Sequence, residues 1–156
     1  KKWGGRWTFL KASLQTSLQY RPPEVRLRWT GPQGEGSFEG EMMSCFIANG
    51  AYCGGGMNVG KGGTMQDGLL DLTHLPPSSA GTQLLQARRL YDGSLARWPG
   101  AQRLQIEQLV ATPLTHEPVF IDLDGELAGQ LPATFKVLRR GLHIRGAWLT
   151  SPLLDD

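Results

Sequence analysis

The sequence predicts an antiparallel, mostly β architecture, a β-rich α+β fold with one or two helices. Three observations carry that reading. Short alternating or apolar runs, roughly six of them, recur between turn signals. Glycine and proline are abundant, with 21 and 10 residues among 156, as a chain with many turns requires. No strand–helix–strand alternation is present, so a parallel sheet is not expected.

In chain order, Trp3, Trp7, Leu10, Leu14 and Leu18 recur at spacings of three and four and predict an amphipathic helix over residues 3–18. Such a stripe faces a core or, with basic residues opposite, a membrane interface. Arg21-Pro22-Pro23 ends it. Val25 to Trp29 alternates as a half-buried strand. Gly31 to Gly36 reads as a turn and Ser37 to Asn49 as one long strand. Residues 49–63 carry seven glycines. A loop of that composition implies positive φ angles or close backbone approach. Leu69 to Leu75 is a strand. Ser78 or Ser79 caps a helix through about Arg97, with Leu84, Leu85, Ala87, Leu90 and Tyr91 inward. Leu104 to Val110 is a strand. Val119 to Leu123 and Ala133 to Leu138 pair around the Asp124-Gly125 turn, and Leu142 to Ile144 continues the sheet.

At 156 residues the chain is the size of one domain. The net charge of +2 hides an asymmetry. Residues 1–28 hold seven basic residues against Glu24, a local +6, which leaves −4 for the remainder. The basic end is a solvated face or a surface for anionic lipid or nucleic acid. Basic and aromatic residues do not interleave as nucleic-acid binding would require. No apolar run reaches the roughly 18 residues of a membrane span, and no apolar segment after Lys1-Lys2 resembles a signal peptide. Cys45 and Cys53 are too few for a disulfide framework and suit reduced thiols in a cytosolic protein. His74, His116 and His143 lack metal-ligand spacing.

The segment Val119-Phe-Ile-Asp-Leu-Asp-Gly-Glu126 is the richest in chemistry. An apolar run ends in an Asp-Gly turn that delivers Glu126 at its far side. Glu126 is either a salt-bridged hairpin residue or a general base for an alcohol proton. Asp67-Gly68 is a simple turn or, with nearby carbonyls, a hard-cation site suited to Mg²⁺. The glycine loop fails the P-loop pattern because Gly62 follows Lys61. It also lacks the strand–helix context of a dinucleotide fingerprint.

The ordered set Ile47-Ala-Asn-Gly50, Gly54-Gly-Gly56, Asp67-Gly-Leu-Leu-Asp71 and Leu123-Asp-Gly-Glu126 resembles the C-terminal domain of the bacterial diacylglycerol kinase family, the YegS-type lipid kinases. The resemblance runs from about Gly4 to about Ile144. It implies an antiparallel β-sandwich like that of NAD kinases, occupying residues 1–156 as one domain. It also implies a separate N-terminal nucleotide-binding domain whose Gly-Gly-Asp-Gly-Thr loop is absent here, so that the isolated chain is inactive. The start at Lys1 fits that expectation. Glu126 matches the family's proton acceptor, and Asp124 would orient it. Asp67 matches the Mg²⁺-ligating aspartate, and Thr64 and Leu69 match the positions that lend backbone carbonyls. Asn49, Gly54, Gly55 and Gly56 match the loop facing the interdomain cleft. Implied with these are ATP as co-substrate, Mg²⁺, and a lipid such as diacylglycerol or phosphatidylglycerol met at a membrane surface. A cytoplasmic, peripherally membrane-associating protein follows, without a nucleic-acid partner and with a homodimer allowed. Val137-Leu-Arg-Arg-Gly141 departs from the family's closing strand, with two arginines where a proline is usual. The alternatives are an NAD kinase-like enzyme and a lipid- or partner-binding module without chemistry.

Overall fold

The computed structural model describes residues 20–60, 65–139 and 141. The expected N-terminal helix over residues 3–18 and the strand 142–144 lie outside the described residues.

Two antiparallel sheets face each other. Strand β1 (Glu24–Gly31) turns tightly at Pro32-Gln33 into β2 (Gly34–Glu41), so the expected turn over residues 31–36 is only two residues wide. The first sheet runs β11-β8-β1-β2, with β8 at Gln108–Pro113 and β11 at Ala133–Lys136. The second runs β3-β6-β7, with β3 at Ser44–Ala48, β6 at Leu70–Leu75 and β7 at Gln102–Ile106. Val25, Leu27, Leu109 and Ala111 from the first sheet meet Leu72 and Ile106 from the second in one buried core. Alternation puts every second residue of a strand on that face.

Two expected strands are in fact corners between the sheets. Met42 donates its amide to the Pro23 carbonyl at 3.0 Å, while Met43 donates to Leu75 at 2.9 Å. The stretch 37–49 therefore splits into β2 and β3. Likewise the stretch 104–110 breaks at Glu107, whose amide reaches the Thr30 carbonyl at 2.8 Å. In both places the core-facing phase changes parity. Phe38 and Met42 give way to Cys45 and Ile47, and Leu104 and Ile106 give way to Leu109 and Ala111. An odd shift moves side chains to the other face unless the strand also changes sheets.

The expected partner of the segment 119–123 is also corrected. Strand β9 (Phe120–Leu123) pairs with β10 (Glu126–Gln130), and β11 pairs with β8 instead. The two-residue Asp124-Gly125 connection leaves β10 as the nearest strand, as a tight hairpin requires.

A second buried cluster lies on the other face of the three-stranded sheet. Leu75, Leu95, Trp98 and Val59 form it, with Phe46, Ala48, Met57 and Leu90 packed around them. Its cover is the segment between β6 and β7. Helix α1 (Ala80–Gln86) starts at Ser79, whose hydroxyl accepts the Thr82 amide at 3.2 Å. Short 3₁₀ turns follow at Ala87–Leu90 and Leu95–Arg97. The helix is thus much shorter than the expected span to Arg97. Asp92 accepts the Ser94 amide at 2.9 Å and Gly93 takes φ 71°, which turns the chain away. Leu84, Leu85 and Tyr91, expected inward, are exposed, and Leu95 and Trp98 fill the core in their place.

With both faces covered, β6 is buried from Asp71 to Leu75. Asp71 is 4% exposed and forms an ion pair with Arg103 at 3.2 Å. A buried carboxylate without a partner is strongly destabilising. Arg103→Ala is therefore expected to lower unfolding stability by roughly 3 kcal/mol in urea titration. A loss under about 1 kcal/mol, as for exposed pairs, would contradict the pairing.

Candidate active site

The register of the three-stranded sheet gathers the candidate residues at one end. Ala48, the last residue of β3, pairs with Asp71 near the start of β6, and Leu70 pairs with Ile106, the last residue of β7. The glycine loop leaving β3, the Asp67 turn entering β6 and the Glu107 corner leaving β7 therefore emerge together.

The glycine loop is a small hairpin. Strands β4 (Tyr52–Cys53) and β5 (Met57–Asn58) pair across a 3₁₀ turn at Gly54–Gly56. Gly55 and Gly56 take φ 66° and 90°, values that favour glycine, and nothing lies within 4 Å of a side chain built on either. The loop tip is open space. Its base is closed: a Cβ on Gly60 would fall 2.3 Å from the Gly50 carbonyl oxygen, and the Gly60 amide donates to Ala51 at 3.1 Å. Asn49 is exposed at the start of this loop. Met65 packs beside Gly50, where the chain returns toward β6.

The turn that follows is ordered by Asp67. Its Oδ1 accepts the Leu69 amide at 2.8 Å, and Gly68 takes φ 73°. A Cβ on Gly68 would meet Arg139 Nε at 2.8 Å, so the Arg139 side chain lies against this turn. Arg139 also donates to Glu107 at 3.2 Å. Thr64 lies outside the described residues.

The third part is the β9–β10 hairpin. Asp124 and Gly125 take φ 53° and 93°, the paired positive angles of a type I′ connection. The Gly125 amide donates to Asp122 Oδ1 at 2.9 Å. Asp122, which sequence reasoning passed over, thus shapes the turn. Its signal was a carboxylate two residues before an Asp-Gly pair, where Asx turns form. Glu126 pairs with Leu123 in register and is exposed. Its side chain makes no hydrogen bond or ion pair with any described residue. Asp124 makes no hydrogen bond to Glu126 among the described residues. Leu123 and Leu127 flank Glu126 and are largely exposed.

The hairpin and the glycine loop are neighbours electrostatically. Burial raises the Cys53 thiol pKa, and the Asp122 carboxylate raises it further. A like charge disfavours the thiolate, so the two groups are electrostatically coupled. Asp122, Asp124 and Glu126 concentrate three carboxylates within five residues of the hairpin. Such a surface repels phosphates unless cations screen it. Among the described residues no three His, Cys, Asp or Glu side chains cluster to hold a metal. A cation at Asp67 would rest on one carboxylate, backbone carbonyls and water. That donor set fits Mg²⁺, which prefers oxygen and keeps several waters.

Comparison with known proteins agrees with this fold. Residues 2–145 match the family model described as the YegS C-terminal NAD kinase beta sandwich-like domain. A diacylglycerol kinase of Bacillus subtilis (strain 168) is 23% identical over 158 residues, spanning 97% of this chain and 48% of that protein. The crystal structure of a diacylglycerol kinase from Bacillus anthracis str. Sterne superposes with a TM-score of 0.60 at 17% identity, covering 84% of this chain and 42% of that one. Another structure from the same strain gives 0.59 at 18% identity, over 81% and 40%. The likeness to these structures shows the fold, and the chain spans about half the length of the relatives it matches.

Proposed function

The chain belongs to the YegS C-terminal NAD kinase β-sandwich-like domain family, and from that membership we propose that it is the lipid-substrate half of a two-domain lipid kinase. The observation that carries the reading is Glu126. It is an exposed carboxylate, its side chain unpaired among the described residues, at the position that matches the family's proton acceptor and just past a tight Asp-Gly turn. Exposed Leu123, its cross-strand partner on the same face, suits a substrate with acyl chains.

In the proposed reaction a lipid hydroxyl attacks the γ-phosphorus of ATP. The new oxygen–phosphorus bond forms as the bond to the bridging oxygen breaks and ADP leaves. Glu126 accepts the hydroxyl proton. The nucleotide is held by an N-terminal domain outside this chain, across a cleft lined by Asn49 and Gly54–Gly56. Asp124 sits beside Glu126 as a second carboxylate that would orient it. Asp67, with carbonyls of Thr64 and Leu69, would hold Mg²⁺. When bound there, the ion would supply positive charge against the phosphates. The chain's own contribution is positioning and proton acceptance. Alone, it is expected to transfer no phosphate. The protein would meet its lipid at a membrane surface. No helix among the described residues is long and apolar enough to cross a membrane.

Phosphate transfer from labelled ATP to a lipid panel by the full-length parent tests this reading. Glu126→Ala is expected to lower turnover about 10²-fold or more, as loss of a general base does. A full-length protein whose Glu126→Ala variant keeps its rate would remove Glu126 from the mechanism.

Asp67→Ala in the same parent is expected to shift Mg²⁺ activation to higher concentration, with the fold intact by circular dichroism. Unchanged Mg²⁺ activation would leave Asp67 as a turn residue alone.

A further inference from the structure

We infer that Arg139 is a phosphate-binding residue of the candidate site, placed to take a phosphate oxygen beside the Asp67 turn. This deepens the lipid-kinase reading and rests on it. Arg139 stands where the chain departs from the family's closing strand, so the role belongs to this chain's own residues.

Two contacts fix the side chain. Arg139 Nη2 donates to Glu107 Oε1 at 3.2 Å. Glu107 is itself held through its backbone, which donates to Thr30 at 2.8 Å and receives the Val137 amide at 3.3 Å. On its other side Arg139 lies across Gly68. A Cβ there would fall 2.8 Å from Nε, 3.1 Å from Cζ and 3.3 Å from Cγ of the arginine. The approach needs a residue without a side chain, and Gly68 at φ 73° is one. Asp67, the candidate Mg²⁺ ligand, immediately precedes it. The guanidinium therefore stands at the turn where the ion would sit.

Stability does not account for this arrangement. The two side chains are 66% and 54% exposed, and exposed pairs contribute little. What the pair does is set the position of a charge. The described residues of the glycine loop (49–60), the Asp67 turn (65–69), the Glu107 corner and the hairpin (120–130) hold Asp67, Glu107, Asp122, Asp124 and Glu126 but no basic side chain. Arg139 is the cation brought to them among the described residues. Carboxylates repel a phosphate. Arginine opposes that repulsion with a permanent charge and a planar fork of N–H donors that matches phosphate oxygens. Glu107 takes one donor, and the others make no hydrogen bond to a described residue. Two sources present a phosphate oxygen here: the nucleotide, or an acceptor lipid with a phosphodiester. The nucleotide is favoured because the contact is with the Asp67 turn, where the ion would meet the triphosphate.

The experiment is equilibrium binding of MgATP to the full-length parent without lipid. Transfer to diacylglycerol, a neutral acceptor, and to phosphatidylglycerol, which carries a phosphodiester, is measured beside it. Arg139→Gln is expected to weaken MgATP binding about tenfold or more, as loss of a charge-assisted hydrogen bond does. Arg139→Lys is expected to recover part of that loss, since it keeps the charge without the fork. The melting temperature is expected to stay unchanged. Unchanged MgATP affinity with a raised KM for phosphatidylglycerol alone would assign the phosphate to the acceptor. No change in either measurement would overturn the proposal. So would a loss that Arg139→Lys does not relieve, because the role would then be structural. A parent that binds MgATP but labels no lipid would end the kinase reading, and the binding comparison would still decide Arg139. A parent that binds no MgATP would overturn both.

Discussion

The constraint on which the rest of this structure depends is that one thin sheet must be apolar on both faces. The strands β3, β6 and β7 carry one core against the four-stranded sheet and another against the helical cover and glycine loop. A sheet of three strands with two buried faces has few places for polar groups. Asp71 is therefore tied to Arg103, and His74 lies ring to ring with Phe38 at 4.5 Å. Desolvation acts on Cys45 in the same setting, pushing its thiol up to about 12. The thiolate is disfavoured wherever burial removes water without supplying a positive charge.

From that sheet follows the site. Antiparallel pairing brings the exit of β3, the entry of β6 and the exit of β7 to one end, so loops far apart in sequence become neighbours. The Glu107 corner does two things there. Its backbone stitches the two sheets, receiving the Val137 amide at 3.3 Å and donating to Thr30. Its carboxylate holds Arg139 beside the Asp67 turn. The arginine that departs from the family's usual closing strand thus has a place in the geometry. It adds a positive charge beside a turn otherwise built from a carboxylate and carbonyls.

Much of this was legible from local chemistry. Asp124-Gly125 and Asp67-Gly68 announced turns because so few residues accept positive φ, and Ser79 announced a helix start because its hydroxyl can accept an orphan amide. The antiparallel β architecture followed from alternation and the absence of crossover helices. The sheet corners were harder. A strand running through Met42-Met43 or Glu107 keeps its β-forming composition, and only the odd shift in apolar phase marks the change of sheet. Leu90 faces inward as its spacing predicts, but Leu84, Leu85 and Tyr91 do not, because a second set, Leu95 and Trp98, competes with them for the core. Tertiary packing chose the second. The role of Asp122 was hidden because its partner is a backbone amide within the same turn, and its electrostatic reach to Cys53 exists only once the hairpin and loop are folded together.

The Asp122 carboxylate acts on Cys53 in the glycine loop, and the Cys53 thiol reports on that coupling directly. The measurement is the pH dependence of Cys53 alkylation in the native chain and in Asp122→Asn, which keeps the oxygen that accepts the Gly125 amide but removes the charge. Cys45 stays silent because its thiol is protonated throughout the accessible range. The Cys53 pKa is expected to fall in the variant, so that alkylation at fixed pH becomes faster. An unchanged pKa would mean that the hairpin does not stand against the loop, and the carboxylates of residues 122–126 would belong to a surface turn apart from it.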